Sequence, residues 1–196
     1  EQRMKVSRTI INSGLTELAR KGFVEIIPRQ GVFVGDYIRN GHLDVLASIM
    51  NFNGGRFNHK TFDSLMEYRL NTECECAYLA ALHRTDDDIQ QLKELHQKIM
   101  QSNDYNLVAI LKVEFQHSIY CATGNTIYPL IFNSFKNMIL NFNQIIYRHT
   151  GTATATYRIQ ELIDAIEKHE ADKAKAIMHD LVVSRVDELN HWYFKE

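Results

Sequence analysis

Proline is nearly absent from this chain, and its scarcity constrains the fold more than any other feature. Only Pro28 and Pro129 occur among the 196 residues. Through most of the sequence, apolar residues recur at the spacing of one face of an amphipathic helix. This pattern predicts about seven helices, at roughly 42–52, 60–83, 86–101, 104–122, 126–149, 157–169 and 171–194. The sequence therefore predicts a mainly α protein whose residues 42–196 form an all-α antiparallel bundle.

Short polar signals mark the ends of several predicted helices. Thr85 precedes three consecutive aspartates, and a threonine N-cap followed by acids in the first turn is typical of a helix start. Gly124, between Thr123 and Asn125, indicates a helix stop followed by a restart. The Thr/Ala-rich run from 150 to 156 predicts a loop, and residues 35–41 predict a linker. The last predicted helix is apolar to its tip, which suggests that it docks on a second subunit or on the first domain.

The first forty residues follow a different pattern. Ser7 is placed to cap a helix whose apolar side includes Leu15 and which Gly22 ends. Two β-rich runs, Val24 to Ile27 and Val32 to Val34, then flank a basic turn. A helix followed at once by a small hairpin is the back half of a winged helix. We therefore predict a partial winged helix-turn-helix domain at residues 1–38, with the N-terminal part of that domain preceding Glu1.

Charge is distributed unevenly along the chain. Residues 1–39 carry a net charge of +3, whereas the rest carries −5, for a total of −2. A basic head suits DNA, and a helix N-terminus offers free N–H groups to phosphate. The predicted DNA-contacting residues are Ser7, Arg8, Thr9, Asn12, Arg29, Gln30 and Gly31. The alternative is a surface helix with incidental charges.

Several classes of protein fit this sequence poorly. No apolar run approaches the ~20 residues of a membrane span, so no membrane partner is expected. Cys74, Cys76 and Cys121 are an odd number without metal-finger spacing, which favours reduced thiols in a cytoplasmic protein. We find no Ser/His/Asp set and no phosphate-binding loop. The chain is therefore predicted not to be an enzyme and to need no cofactor.

The run VSRTIINSGLTELARKGFVEIIPRQGVFV resembles the DNA-binding domain of GntR-family bacterial transcription regulators. The matching residues are Val6, Ser7, Arg8, Thr9, Leu15, Leu18, Gly22, Phe23, Val24, Arg29, Gly31, Phe33 and Val34. Two positions depart from the family pattern, because Asn12 replaces a second arginine of the recognition helix and Gly14 replaces an alanine. The resemblance implies a homodimer that binds a double-stranded DNA operator.

The helical body is similar to the FCD-type effector domain of the FadR subfamily. The resemblance rests on Glu67-Tyr68-Arg69, on the segment from Thr85 to Leu95, and on Phe115 with the later Ala122-Thr123-Gly124-Asn125. It implies a pocket for a small-molecule effector. Many members hold a metal there with one Asp and three His. In this chain these positions fall on Lys112, Gln116, Ile159 and Leu181, none of which is a good ligand, so no metal is predicted.

The replaced positions suggest a different ligand. A cationic Lys112 together with Arg69 suits an anionic group, and Ile159 and Leu181 form an apolar wall, as an organic, acyl or aryl acid would require. The predicted ligand-binding residues are Arg69, Lys112, Gln116, Tyr120, Asn137, Ile159 and Leu181. The alternative is that core side chains fill the site and that Lys112 pairs with Glu73 or Glu114.

These inferences predict a DNA-binding regulator whose operator affinity is controlled by a small effector. The competing hypothesis is a helical protein-interaction or ligand-binding module that no longer binds DNA.

Overall fold

A computed structural model of the chain describes residues 5–52 and 56–195. The chain divides into two compact units, with the division after Arg56. By its contacts, the helix at Asp44–Phe52 therefore falls in the first unit, whereas the sequence analysis assigns it to the helical domain. The domain limits at 1–38 and 42–196 remain predictions, and residues 1–4, 53–55 and 196 lie outside the described part of the chain.

The first unit contains the predicted helix and hairpin. Its elements are α1 (Arg8–Arg20), β1 (Val24–Ile27), β2 (Gly31–Val34), α2 (Tyr37–Asn40) and α3 (Asp44–Phe52). The strands are antiparallel, with Ile27 opposite Gly31 at the turn. The short helix α2 lies within the predicted linker.

The predicted start and stop signals of α1 are confirmed. The Ser7 hydroxyl accepts a hydrogen bond from the Ile10 N–H at 3.4 Å. At the other end the Phe23 N–H donates to the Leu18 carbonyl at 2.9 Å, and Gly22 takes a positive φ of 82°. A Cβ at Gly22 would lie 3.0 Å from the Cα of Gly41. Glycine is therefore needed at this position for both its conformation and its small size.

The second unit is a helical bundle, as predicted. Its elements are α4 (His59–His83), α5 (Asp86–Met100), α6 (Tyr105–Cys121), α7 (Ile127–Thr150), a 3₁₀ segment (Thr152–Thr156), α8 (Ile159–Glu167) and α9 (Ala171–Tyr193). Thr85 and Asp88 form a reciprocal capping box at the start of α5. Pro129 lies in the first turn of α7, where the missing N–H breaks no helical hydrogen bond. None of the described helices is long and apolar enough to cross a membrane.

Helix α4 packs most extensively against α9, and α6 packs against α7. The aromatic end of α9 closes one end of this core. Tyr193 stacks on Phe62 with ring centroids 5.0 Å apart, and its hydroxyl accepts a hydrogen bond from the Phe57 N–H at 2.6 Å. Phe194 stacks on His59. The expectation that this end docks on another domain or subunit is therefore corrected for Tyr193 and Phe194, because both pack within their own unit.

The three cysteines occupy different environments. Cys74 and Cys76 are buried in the core, whereas Cys121 is exposed at the end of α6. Burial and the neighbouring Glu73 raise the pKa of the Cys76 thiol. Both buried thiols therefore act as small apolar core residues.

Candidate functional site

The start of α1 presents the predicted DNA-contacting residues of the helix. Arg8, Thr9 and Asn12 are exposed, and Ser7 caps the helix beside them. The first turn of α1 contains no acidic residue. The positive end of the helix dipole is therefore not neutralised locally, which leaves it suited to a phosphate group.

The hairpin turn presents the remaining predicted contacts. Arg29, Gln30 and Gly31 are all exposed. Arg29 takes a left-handed φ of 64° and Gly31 a φ of 133°, while the Gln30 N–H donates to the Ile27 carbonyl at 3.1 Å. The tight turn thus projects a basic residue from the end of the two-stranded ribbon, as a wing that approaches a DNA groove requires.

The second unit contains a cavity of about 60 Å³. It is bounded by α4, α6, α7, α8, α9 and the 3₁₀ segment. Its polar lining residues are Arg69, Glu73, Lys112, Gln116, Asn143, Tyr147, Tyr157 and Arg185, and apolar side chains such as Phe115, Ile159, Leu162 and Leu181 complete the wall. The cavity lining therefore combines charged and apolar side chains.

The structure brings five of the seven predicted ligand-binding residues to this cavity. These are Arg69, Lys112, Gln116, Ile159 and Leu181. The other two lie elsewhere. Tyr120 is buried edge-on against Tyr128, where burial and Glu73 raise the pKa of its hydroxyl, and Asn137 is exposed on α7. The binding role of all seven remains a prediction.

Glu73 is neutralised by a neighbour on its own helix. The Arg69 Nε donates to Glu73 Oε1 at 2.8 Å, and both side chains are largely buried. This pair lies one helical turn apart, at the i,i+4 spacing that favours such contacts. Glu73, which the sequence offers as a partner for Lys112, is therefore paired with Arg69 instead.

Lys112 forms no salt bridge or hydrogen bond with the residues the structure describes. Its Nζ lies 5.1 Å from the centre of the Phe115 ring. Burial, and to a smaller extent the nearby Arg185, lower the pKa of Lys112 to about 7, while Glu73 acts in the opposite direction. The amine is therefore close to half-charged at neutral pH, because a buried ammonium loses its hydration without gaining a counter-ion.

Gln116 lies one turn after Lys112 on the same face of α6. Its Nε2 is buried and has no hydrogen-bond partner among the described residues. A buried amide donor without a partner costs about 1–3 kcal/mol. Lys112 and Gln116 therefore bring two side-chain donors of α6 to the lining of the cavity.

Arg185 is the cavity residue that the sequence analysis misses. Its guanidinium donates to Glu188 at 2.8 Å and to the Thr154 hydroxyl at 3.3 Å, and also to the Thr154 carbonyl. It lies over the Tyr147 ring. Arg185 follows Leu181 by one helical turn, so the spacing of α9 already places it on the same face.

The metal site implied by the family resemblance does not fit these side chains. Lys112 and Gln116 are poor donors, and Ile159 and Leu181 have no donor atom. Within 5–52 and 56–195, no three His, Cys, Asp or Glu side chains are grouped closely enough to hold a metal ion. Of the nearby histidines, His117 packs against Phe132.

Comparison with known proteins identifies a family and a shared fold. The FCD domain family matches residues 64–184. The fatty acid metabolism regulator protein of Shewanella frigidimarina is 27% identical over 168 residues, covering 86% of this chain and 67% of that protein. The Shewanella denitrificans protein of the same name is 26% identical over 133 residues, covering 68% of this chain and 54% of that protein. This chain therefore matches about half of the latter's length. Streptococcus agalactiae GntR aligns with a TM-score of 0.59 at 20% identity, over 95% of this chain and 84% of that one.

Proposed function

The chain belongs to the FCD domain family and is a FadR-like regulator of the GntR type, and we propose that its operator affinity is controlled by a small carboxylate in the cavity of the second unit. In this proposal the protein is a cytoplasmic homodimer that needs no metal. Its relatives and fold neighbours are transcription regulators and not enzymes.

The observation that carries this proposal is the arrangement of α6 within the cavity. The buried Gln116 amide has no hydrogen-bond partner among the described residues, and Lys112 contacts the Phe115 ring without an ion pair. The apolar Ile159 and Leu181 also line the cavity. A carboxylate satisfies the donors and restores the charge of the lysine, while a short apolar group contacts the wall. The site selects a ligand that is anionic at one end and apolar at the other.

The cavity volume limits the size of this ligand. A cavity of roughly 150 Å³ admits benzene, so a cavity of about 60 Å³ admits only a smaller ligand without movement of its walls. The Shewanella relatives are named for fatty acid metabolism. A short organic acid fits the present walls, whereas a long acyl chain requires them to move.

The DNA half of the proposal rests on α1 and the hairpin. Arg8 and Arg29 supply the basic contacts, and Ser7 and Thr9 supply short hydroxyls for phosphate or base edges. A homodimer presents two such heads to a pseudo-palindromic site. If the effector binds one arrangement of the dimer more tightly than another, it shifts the dimer toward that arrangement. Operator affinity then changes by an amount set by this difference in effector affinity.

Fluorescence anisotropy with labelled DNA from upstream of the gene tests this half, using the complete gene product. The Arg8→Ala substitution is expected to weaken binding and to reduce the slope of log affinity against log salt by about 1, because one phosphate contact is lost. Lys98→Ala, which removes an exposed charge on α5, is the matched control. It should leave both the DNA affinity and its salt dependence unchanged. If no upstream fragment is bound at low salt, the helical module that no longer binds DNA becomes the better account.

A thermal-shift screen of short carboxylic acids tests the effector half. Acids that bind raise the melting temperature of the wild type, since a ligand that binds only the folded state stabilises it. The Lys112→Met variant is expected to lose this response. Matched primary amides of the same acids, which lack the negative charge, are the ligand control. An equal response to acids and amides would contradict the anion assignment.

A further inference from the structure

Lys112 differs from an ordinary ion-pairing lysine in its surroundings. It lines a partly apolar cavity, and Glu73, the carboxylate among the described lining residues, is already bound by Arg69. Gln116, one turn along α6, offers an unpartnered amide donor at the same cavity. The site thus places a primary amine, a hydrogen-bond donor and an apolar wall around a space of a few atoms.

We propose that Lys112 captures a short carbonyl compound, of the 2-oxo acid class, as a reversible imine within this cavity. The inference rests on the proposed function, because it takes the cavity to be the effector site and names the chemistry by which the effector is held.

The reaction balances without an oxidant or reductant. The lone pair of the neutral Lys112 amine attacks the carbonyl carbon, a C–N bond forms, and the carbonyl oxygen takes the proton that the nitrogen releases. Loss of that hydroxyl as water, with a second nitrogen proton, then gives the C=N bond. The overall change is amine plus carbonyl compound to imine plus water, and addition of water reverses it.

Nucleophilic attack requires the neutral amine. Desolvation and a neighbouring cation are the two conditions that activate a lysine for this chemistry. Both apply here, because burial and Arg185 lower the pKa of Lys112 to about 7. About half of the molecules then carry a neutral amine at pH 7, compared with roughly one in 2,500 for a lysine of ordinary pKa ≈ 10.4.

The charged groups around Lys112 come from several elements. Glu73 and Arg69 lie on α4, Arg185 lies on α9, and the buried His96 on α5 interacts electrostatically with Lys112. Burial lowers the pKa of His96, so this ring adds little positive charge at neutral pH.

The remaining lining residues account for the 2-oxo acid class. The Gln116 amide can donate to the carbinolamine oxygen, and Arg185 retains donors for a carboxylate beyond its contacts to Thr154 and Glu188. Ile159 and Leu181 contact a short alkyl group. The cavity volume of about 60 Å³ favours a short alkyl group over a long one.

Reductive trapping tests this inference directly. The complete protein is incubated at pH 7 with pyruvate or 2-oxobutyrate and sodium cyanoborohydride, then examined by intact mass and peptide mapping. We expect a mass gain equal to the acid minus one oxygen atom, on Lys112. Lys98, exposed on α5, reports the background, and we expect at least about tenfold more adduct on Lys112 because of its larger neutral fraction. Lys112→Arg and Lys112→Met should both lack the excess.

A second measurement on the same protein separates the imine inference from the proposed carboxylate site. Calorimetric titration with lactate, which has a hydroxyl in place of the ketone and so forms no imine, reports anion binding alone. If lactate or pyruvate binds but no adduct forms on Lys112 above the Lys98 background, the imine is excluded and the carboxylate site stands. If neither acid binds and no adduct forms, the 2-oxo acid class is overturned, and the thermal-shift screen decides whether another acid occupies the cavity.

Discussion

Replacing Lys112 with methionine is expected to stabilise the ligand-free protein in a pH-dependent way. The unfolded lysine has a pKa near 10.5 and the folded one a pKa of about 7. Between these values the unfolded state binds more protons, so the stability of the wild type rises with pH. The destabilisation of the wild type by Lys112 is therefore fully present below pH 7 and disappears as the pH rises through 10.5.

The size of the effect follows from these two values. At about 1.4 kcal/mol per pKa unit, the buried amine lowers the free energy of unfolding by roughly 4 kcal/mol at pH 7 and roughly 2 kcal/mol at pH 9. Because Lys112 is half-buried and solvent screens part of the effect, these are upper values. Methionine has a similar length and no charge, so its packing contribution does not depend on pH.

Urea unfolding at pH 7 and pH 9 measures this difference. Trp192, the single tryptophan of the chain, lies on α9 and reports the second unit. We expect Lys112→Met to be more stable than the wild type at pH 7, and this advantage to shrink by roughly 2 kcal/mol at pH 9. Lys98→Met is the control and should show no such change. An advantage that is equal at both pH values would refute the burial of an unpaired amine.

Four further single substitutions and one double variant test the packing of the second unit by chemical unfolding. Thr85→Ala removes the capping box and should cost about 1 kcal/mol, whereas Thr126→Ala should change stability by less than about 0.5 kcal/mol because Thr126 makes no side-chain cap bond. Tyr193→Phe leaves a buried backbone N–H without its acceptor and should cost about 1–3 kcal/mol; an unchanged midpoint would contradict this hydrogen bond. Arg69→Met isolates the buried carboxylate of Glu73 and should cost about 3–5 kcal/mol, and pairing this variant with Glu73→Gln should recover part of that loss.

Local features of the fold could be predicted because they depend on neighbouring residues. The Ser7 cap, the stop at Gly22 and the capping box at Thr85 each involve residues within a few positions. The hairpin followed from two β-rich runs and the turn between them. The division after Arg56 was not predictable in this way, since it depends on which unit α3 contacts.

The cavity was predictable only in part. Helical spacing and the family resemblance placed Lys112 with Gln116, and Ile159 with Leu181. Asn137 was a poor choice of lining position, because it lies six residues before the cavity residue Asn143 and so roughly 120° around α7 from it. Its role in binding is still untested, but its exposed position gives no support to it.

The contacts of Arg185 depend on chain segments far apart in sequence. Thr154 lies 31 residues away, and no pattern in the sequence links the two. By contrast, the pairing of Arg69 with Glu73 follows the i,i+4 rule. Applied to the sequence, the i,i+4 rule pairs Glu73 with Arg69 and so leaves Lys112 without Glu73 as a partner.

Native mass spectrometry of the complete protein, incubated with a set of short organic acids, measures whether the cavity holds an acid, a metal or neither. We expect a dimer in which each subunit carries one small organic acid and no metal, with the acid lost in the Lys112→Met variant. A folded protein that retains a stoichiometric divalent metal, or that binds the same acids equally well without Lys112, would contradict it.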